Sequence, residues 1–209
     1  MQYVFWTQKE VANGCRLRGC EGFDDDWMLM DGVTVTDEFP EDVTFPMNPN
    51  FPDNTLIPDC PYNLDRLLIV STRLKEFLES RNLPDVEYLQ VGIVDLKGKT
   101  AKPPHFIVNP VGTRPLLRVD QCDATMSSLD DSSIEKLKRF VIDEKALDGA
   151  PPLFRIQNLS RYLMVSKDLA REVEKAGFTG ARFIQPEALA NGNELGSLAE
   201  LPKEATAQL

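Results

Sequence analysis

The sequence is short of the residues on which enzymes usually depend. It has one histidine, His105, and four cysteines, Cys15, Cys20, Cys60 and Cys122. It carries no Gly-rich phosphate loop, no GxSxG elbow and no HExxH helix. A Cys–His nucleophile would have to join His105 to one of the four thiols, and no local signature singles one out. His105, just before Phe106-Ile107-Val108-Asn109, reads more simply as a strand-end residue with a satisfied hydrogen bond. A zinc site built on Cys15 and Cys20 with Cys60, Cys122 or His105 lacks the paired CxxC knuckles. The run Asp24-Asp25-Asp26 lacks the spacing of a calcium loop. Asp120 and Asp123 are open to two readings, paired carboxylates for acid–base work or ordinary turn chemistry. The expectation is a protein that uses no cofactor and no metal and is not an enzyme.

Long apolar runs are missing too. None approaches the roughly 20 residues of a membrane span. The opening MQYVFWTQKE has no basic segment followed by an apolar one, so it does not read as a secretory signal. The expected location is the cytoplasm, with the cysteines reduced.

Basic residues are scarce in one part of the chain. Residues 1–66 hold 13 Asp and Glu against 4 Lys and Arg, whereas residues 67–209 hold 20 against 19. The net charge of −10 therefore sits almost wholly in the first third. Nucleic acid is disfavoured as a partner, because phosphate contacts need a basic patch. Two readings of the acidic region stay open: a surface complementary to a basic protein, and a solvated face that aids solubility.

What is present is an ordinary globular composition, 42% apolar and 27% charged over 209 residues. That is enough chain for one large domain or two small ones around a shared core. MQYVFWT reads as a first strand. Residues 8–66 are rich in proline, glycine, aspartate and asparagine, with β-like pieces such as VTVT at 33–36 and no convincing helix. Five prolines between Pro40 and Pro58 each remove a backbone donor, so loops and edge strands wrapping over a core are expected.

A repeat then emerges. VSTRLKEFLESRNLPDVEYLQV at 70–91 aligns without a gap on VSKDLAREVEKAGFTGARFIQP at 165–186. Val70/Val165, Ser71/Ser166, Leu74/Leu169, Glu79/Glu174 and Gln90/Gln185 are identical. In each copy a serine suits the N-cap, leucines fall on one helical face, and Asn82 or Gly177 suits a left-handed exit. Strands are expected at 67–70, 86–96, 105–111, 151–157 and 181–185, with another at 116–120. Residues 127–148 read as a short turn or helix beginning at Ser132 or Ser133, then a strand through Arg139–Asp143. The segment after Pro186 has no firm periodicity and reads as a weak helix or frayed end.

The expected fold class is α+β: a mixed sheet with two similar strand–helix–strand units and a loop-rich, Pro-rich β part at the N-terminus. The divisions are 1–66 for the acidic part, 67–186 for the core and 187–209 for the tail, within one structural domain overall.

The order of pieces resembles the bacterial immunity proteins of polymorphic toxin systems, family eleven. Its elements here are Phe106-Ile107-Val108-Asn109, then Val119-Asp120 with Asp123 and a serine-rich stretch. Leu153-Phe154-Arg155-Ile156 and the ending from Val165 to Phe183 follow, and Val70-Ser71 with Leu74 matches an earlier helix. The resemblance spans about residues 67–186, and the C-terminal ending is its most specific part. It departs at Gln121-Cys122 between the two aspartates. It implies a protein that neutralises a cognate toxin, delivered by type VI or contact-dependent secretion, by direct binding and occlusion of the toxin's active site. An interface of roughly 1,200–2,000 Å² is implied. With the acidic first third, this points to a toxin with a basic face. The residues expected to meet it are Asp24, Asp25, Asp26, Trp27, Asp37, Glu38, Glu41 and Asp42. Trp27 beside three carboxylates has the composition of a binding hot spot, although it could equally be a core residue under a loop. Two other readings stand beside this one: a small enzyme with a site near His105, Asp120 and Asp123, and a scaffold module of a secretion apparatus.

Overall fold

The computed structural model describes residues 2–128 and 132–190, together with Ala207 and Leu209. In chain order its elements are β1 (Tyr3–Gln8), β2 (Arg16–Leu17), α1 (Met28–Asp31), β3 (Thr44–Pro46), β4 (Tyr62–Asn63), β5 (Ile69–Ser71), α2 (Thr72–Glu79), β6 (Val86–Val94) and β7 (His105–Pro110). Then come β8 (Thr113–Arg114), β9 (Ala124–Met126), β10 (Ile134–Leu137), β11 (Leu153–Ile156), β12 (Leu159–Ser166), α3 (Lys167–Lys175), β13 (Ala181–Ile184) and α4 (Pro186–Ala190). The fold is mixed α+β. The tail beyond Ala190, apart from Ala207 and Leu209, lies outside the described residues.

Two larger sheets organise the molecule, in the orders β13-β1-β12-β11-β8 and β3-β6-β7-β5. In neither do the strands flanking a helix pair with each other. β5 and β6 both run antiparallel to β7 between them, and β12 and β13 both run antiparallel to β1. The register agrees as well. Ile69, Ile107 and Leu89 form one rung, and Met164, Phe5 and Ile184 form another. The outer members of the two rungs, Ile69/Met164 and Leu89/Ile184, are each 95 residues apart in sequence. All six side chains are buried.

Alternation along each strand sends successive side chains to opposite faces. Val4 and Trp6 point into a central core with Val165, Phe183, Val70 and Val108. Both helices bury their apolar stripes there: Leu74 and Leu78 from α2, Leu169, Ala170 and Val173 from α3. Phe5, Met164 and Ile184 face a second core with Phe140, Phe154 and Tyr162. Ile69, Ile107 and Leu89 face a third. The acidic first third closes this last core by contributing Leu29, Val35, Val43 and Phe45.

Asp59 ties the entry of α2 to the loop that leaves α3. Its carboxylate accepts from Ser71 Oγ at 2.8 Å, from Arg73 Nη2 at 2.7 Å, and from the Thr179 amide at 2.9 Å. Burial pushes its pKa up, but the hydrogen bonds from Arg73, Thr179 and Ser71 outweigh that and bring it down to about 2.

Four local expectations are corrected in whole or in part. Residues 33–36 are not a strand: the Thr34 and Thr36 hydroxyls and the Val35 amide donate to the Glu87 carboxylate instead of to a sheet ladder. The stretch 116–120 is no strand either. Leu117 makes an isolated bridge to Ile142, and Val119–Gln121 turns as a short 3₁₀ helix. Of the turn or helix expected from Ser132 or Ser133, the structure has a turn, which leads at once into β10. Ile134 and Leu137 are both buried at a helical spacing because a bulge between Ile134 and Lys136 adds one residue and returns Leu137 to the inner face. The strand expected at 139–143 is reduced to the same isolated bridge, and a 3₁₀ turn follows at Glu144–Leu147.

Candidate functional site

The acidic residues sit on two neighbouring loops that lead into and out of α1. Glu21 bridges Thr44 across them, and the rings of Phe23 and Phe39 meet edge to face at 5.3 Å. The segments 24–27 and 37–42 are therefore held side by side. Asp24, Asp25, Asp37, Glu38, Glu41 and Asp42 are exposed, and Asp26 is half-buried. No lysine or arginine occurs between Arg18 and Arg66, so no cation from this stretch offsets the patch.

Trp27 is 52% exposed, whereas Trp6, the other tryptophan, is 5% exposed in the central core. Its indole Nε1 donates to Asp25 Oδ1 at 3.2 Å. It is therefore a surface aromatic among carboxylates, not a core residue beneath a loop. Directly after it, Leu29 is fully buried, and Met28 and Met30 pack partly against the same core. The turn thus anchors on one side and displays Trp27 on the other.

Beneath this loop lies a polar cluster whose reach was missed in the sequence. Arg155, on β11, is 3% exposed. Its Nη2 donates to the Leu29 carbonyl at 2.8 Å and to Asn109 Oδ1 at 3.1 Å; its Nη1 donates to the Met30 carbonyl at 3.3 Å and the Ser160 carbonyl at 2.6 Å. Its Nε donates to the Pro110 carbonyl at 3.0 Å. Burial lowers its pKa to about 10, with the Asp31 charge acting the other way, so the guanidinium stays charged. Fully buried Asn109 donates from Nδ2 to the Val33 carbonyl at 3.0 Å and to Glu87 Oε2 at 2.9 Å. Glu87 also accepts from Thr34, Val35 and Thr36. Burial pushes its pKa up, but the bonds from Thr34, Thr36, Asn109 and Val35 leave it lowered. The available signal was a polar residue inside each of two apolar strands, Arg155 in LFRI and Asn109 in HFIVN.

The residues of the enzymatic reading are scattered. His105 is buried at the start of β7, paired with Ser71 and Val91, and burial lowers its pKa to about 4 with Asp59 pulling the other way. Asp120 and Asp123 are exposed on the turn after β8, and Asp123 pairs with Lys138 at 3.3 Å. No hydrogen bond or ion pair among the described residues joins His105 to either aspartate. A recess between Trp6, Tyr62, Arg66 and Tyr162 offers about 30 Å³, room for a water or two. The four cysteines are free thiols. Among the described residues no three His, Cys, Asp or Glu side chains group as they would around a metal ion, and no helix is long and apolar enough to cross a membrane.

Comparison with known proteins gives one family. The model of an immunity protein family, Imm11, matches residues 8–187. No curated protein matches the chain.

Proposed function

The chain belongs to the Imm11 immunity protein family, and we propose on that ground that it neutralises a cognate toxin by direct binding. An immunity role of this kind is non-enzymatic. The toxin is a secreted effector of interbacterial competition, delivered by a type VI or contact-dependent route, and is met in the cytoplasm of the protected cell. The contact surface is the pair of acidic loops, with Trp27 as the anchor and Asp24, Asp25, Asp26, Asp37, Glu38, Glu41 and Asp42 as its charged rim. The toxin face it covers is basic, as in an enzyme that handles an anionic substrate, and occlusion of that face is the mode of inhibition.

The observation that supports this reading is the exposure of Trp27, a residue 52% exposed beside the exposed Asp24 and Asp25. An exposed aromatic with a hydrated rim is the composition of an interface hot spot. The second use of the strand–helix–strand unit supplies the frame. Its shared residues are caps, core leucines and helix exits, which leaves the loops free to vary toward a partner.

The test is capture of the cognate toxin with this chain as bait, then its co-expression with the wild-type chain and with two variants. Rescue of growth by the wild type is expected. Trp27→Ala, and separately Asp24→Ala/Asp25→Ala/Asp26→Ala, should weaken binding by tenfold or more. Association with the wild type should slow steeply as salt is raised. Full affinity in both variants would remove the acidic surface from the interface, and no rescue by the wild type would remove neutralisation itself.

A further inference from the structure

We infer that Arg155, Asn109 and Glu87 are positioning residues for partner binding. They fix residues 28–36 against the two sheets and so set the stance of Trp27 and the carboxylates beside it. The inference rests on the reading that this acidic surface is the one that meets the toxin.

The first argument is a count of donors. A guanidinium has five N–H groups. In Arg155 all five are used, on Leu29, Met30, Pro110, Ser160 and Asn109. None of these partners is a carboxylate. Burying a cation without a directly bonded anion is a poor route to stability, so the arrangement calls for another reason. Two of the five acceptors are carbonyls of α1, the turn that directly follows Trp27. One arginine from β11 thus joins that turn to both large sheets.

Asn109 and Glu87 extend the same hold along the chain. Asn109 accepts from Arg155, then donates to the Val33 carbonyl and to Glu87. Glu87 takes the Thr34 hydroxyl at 2.6 Å, the Thr36 hydroxyl at 2.7 Å and the Val35 amide at 3.2 Å. Residues 29 to 36, which form no strand, are therefore held by side chains from three strands of two sheets. Gly32 makes the close approach possible. Its φ is +70°, and a Cβ there would stand 2.9 Å from Arg155 Cδ and 3.0 Å from the Gly112 carbonyl oxygen. A loop already ordered loses less freedom on binding, which is the gain from preorganisation.

The test separates local positioning from global stability. Glu87→Gln keeps the shape but puts an amide donor where several donors converge. Hydrogen exchange across the whole chain should show residues 28–36 exchanging at least tenfold faster, with α3 and β12 unchanged. Acrylamide should quench Trp27 more readily. Thr34→Val/Thr36→Val, which alters only exposed side chains, should act in the same direction. Arg155→Lys should loosen the segment further, since an ammonium cannot replace the five-donor fork. Exchange unchanged at 28–36, or raised equally throughout, overturns the inference. With the toxin from the co-expression test, Glu87→Gln should slow association about tenfold without altering a contact residue. Loss of binding in the aspartate variant but not in Glu87→Gln would keep the surface and reject the positioning. Intact binding in the aspartate variant would reject the surface reading, whatever the exchange shows.

Discussion

Ser71 and Ser166 stand 95 residues apart in sequence and do the same work: each hydroxyl accepts the amide of the third residue on, Leu74 or Leu169, at 3.2 Å. The two are not equal in surroundings, because Ser71 Oγ also donates to Asp59 at 2.8 Å. An N-cap serine contributes about 1 kcal/mol. Ser166→Ala should cost about that much in urea unfolding, and Ser71→Ala about 2 kcal/mol, the excess being the lost charge-assisted bond. Equal costs would mean that the Asp59 bond contributes nothing.

Asp59 itself gives an acid limb. Its pKa falls from 3.8 to about 2 in the fold. The stabilisation is therefore complete above the unfolded value and is lost as pH falls from about 4 through 2. Asp59→Asn should remove about 2 kcal/mol at neutral pH and flatten the stability curve in that window. A curve of unchanged slope below pH 4 would contradict the assignment.

His105 gives a second and separate limb. Burial lowers its pKa from 6.5 to about 4. The unfolded chain takes up the proton first, so stability declines as pH falls from 6.5 towards 4. The full effect is on the order of 3 kcal/mol. His105 is the sole histidine, so His105→Gln should flatten this window and leave the lower one intact. Denaturant midpoints at pH 7, 6, 5 and 4.5 would decide it.

Gly177 and Gly180 follow α3 with φ of +70° and +85°. A Cβ at Gly177 meets nothing within 4 Å, but one at Gly180 would lie 2.2 Å from the Cys60 carbonyl oxygen. Gly177→Ala should cost about 1 kcal/mol, from backbone strain alone. Gly180→Ala should cost several times that, since backbone must move. Similar midpoints for the two variants would show that the Cys60 contact yields easily.

The parts of this architecture legible in the sequence were those governed by local rules. The caps at Ser71 and Ser166 and the positive φ at Asn82 and Gly177 follow from residue chemistry within one turn, and the structure has them. Bulges are not local in that sense. The extra residue between Ile134 and Lys136 turned a strand into a helix-like spacing. Residues 33–36 look like a strand because valine and threonine alternate, yet their partner is the distant side chain of Glu87. Partner choice was equally hidden: nothing in YVFWTQ says that it lies between β12 and β13. For the site, the charge and Trp27 could be read directly. The hold beneath them could not, because Arg155 meets Leu29 across 126 residues.

That placement of β1 has a bearing on how the molecule is made. Val4 pairs with Val165 and Phe5 with Ile184. The ribosome delivers this aromatic strand long before either neighbour exists. Pairings so distant in sequence are slow to form and leave apolar strands open to aggregation meanwhile. The larger sheet cannot close until the second helix and its flanking strands are synthesised. A cell relying on freshly made copies would thus wait until β13 had been synthesised before any copy had its full frame.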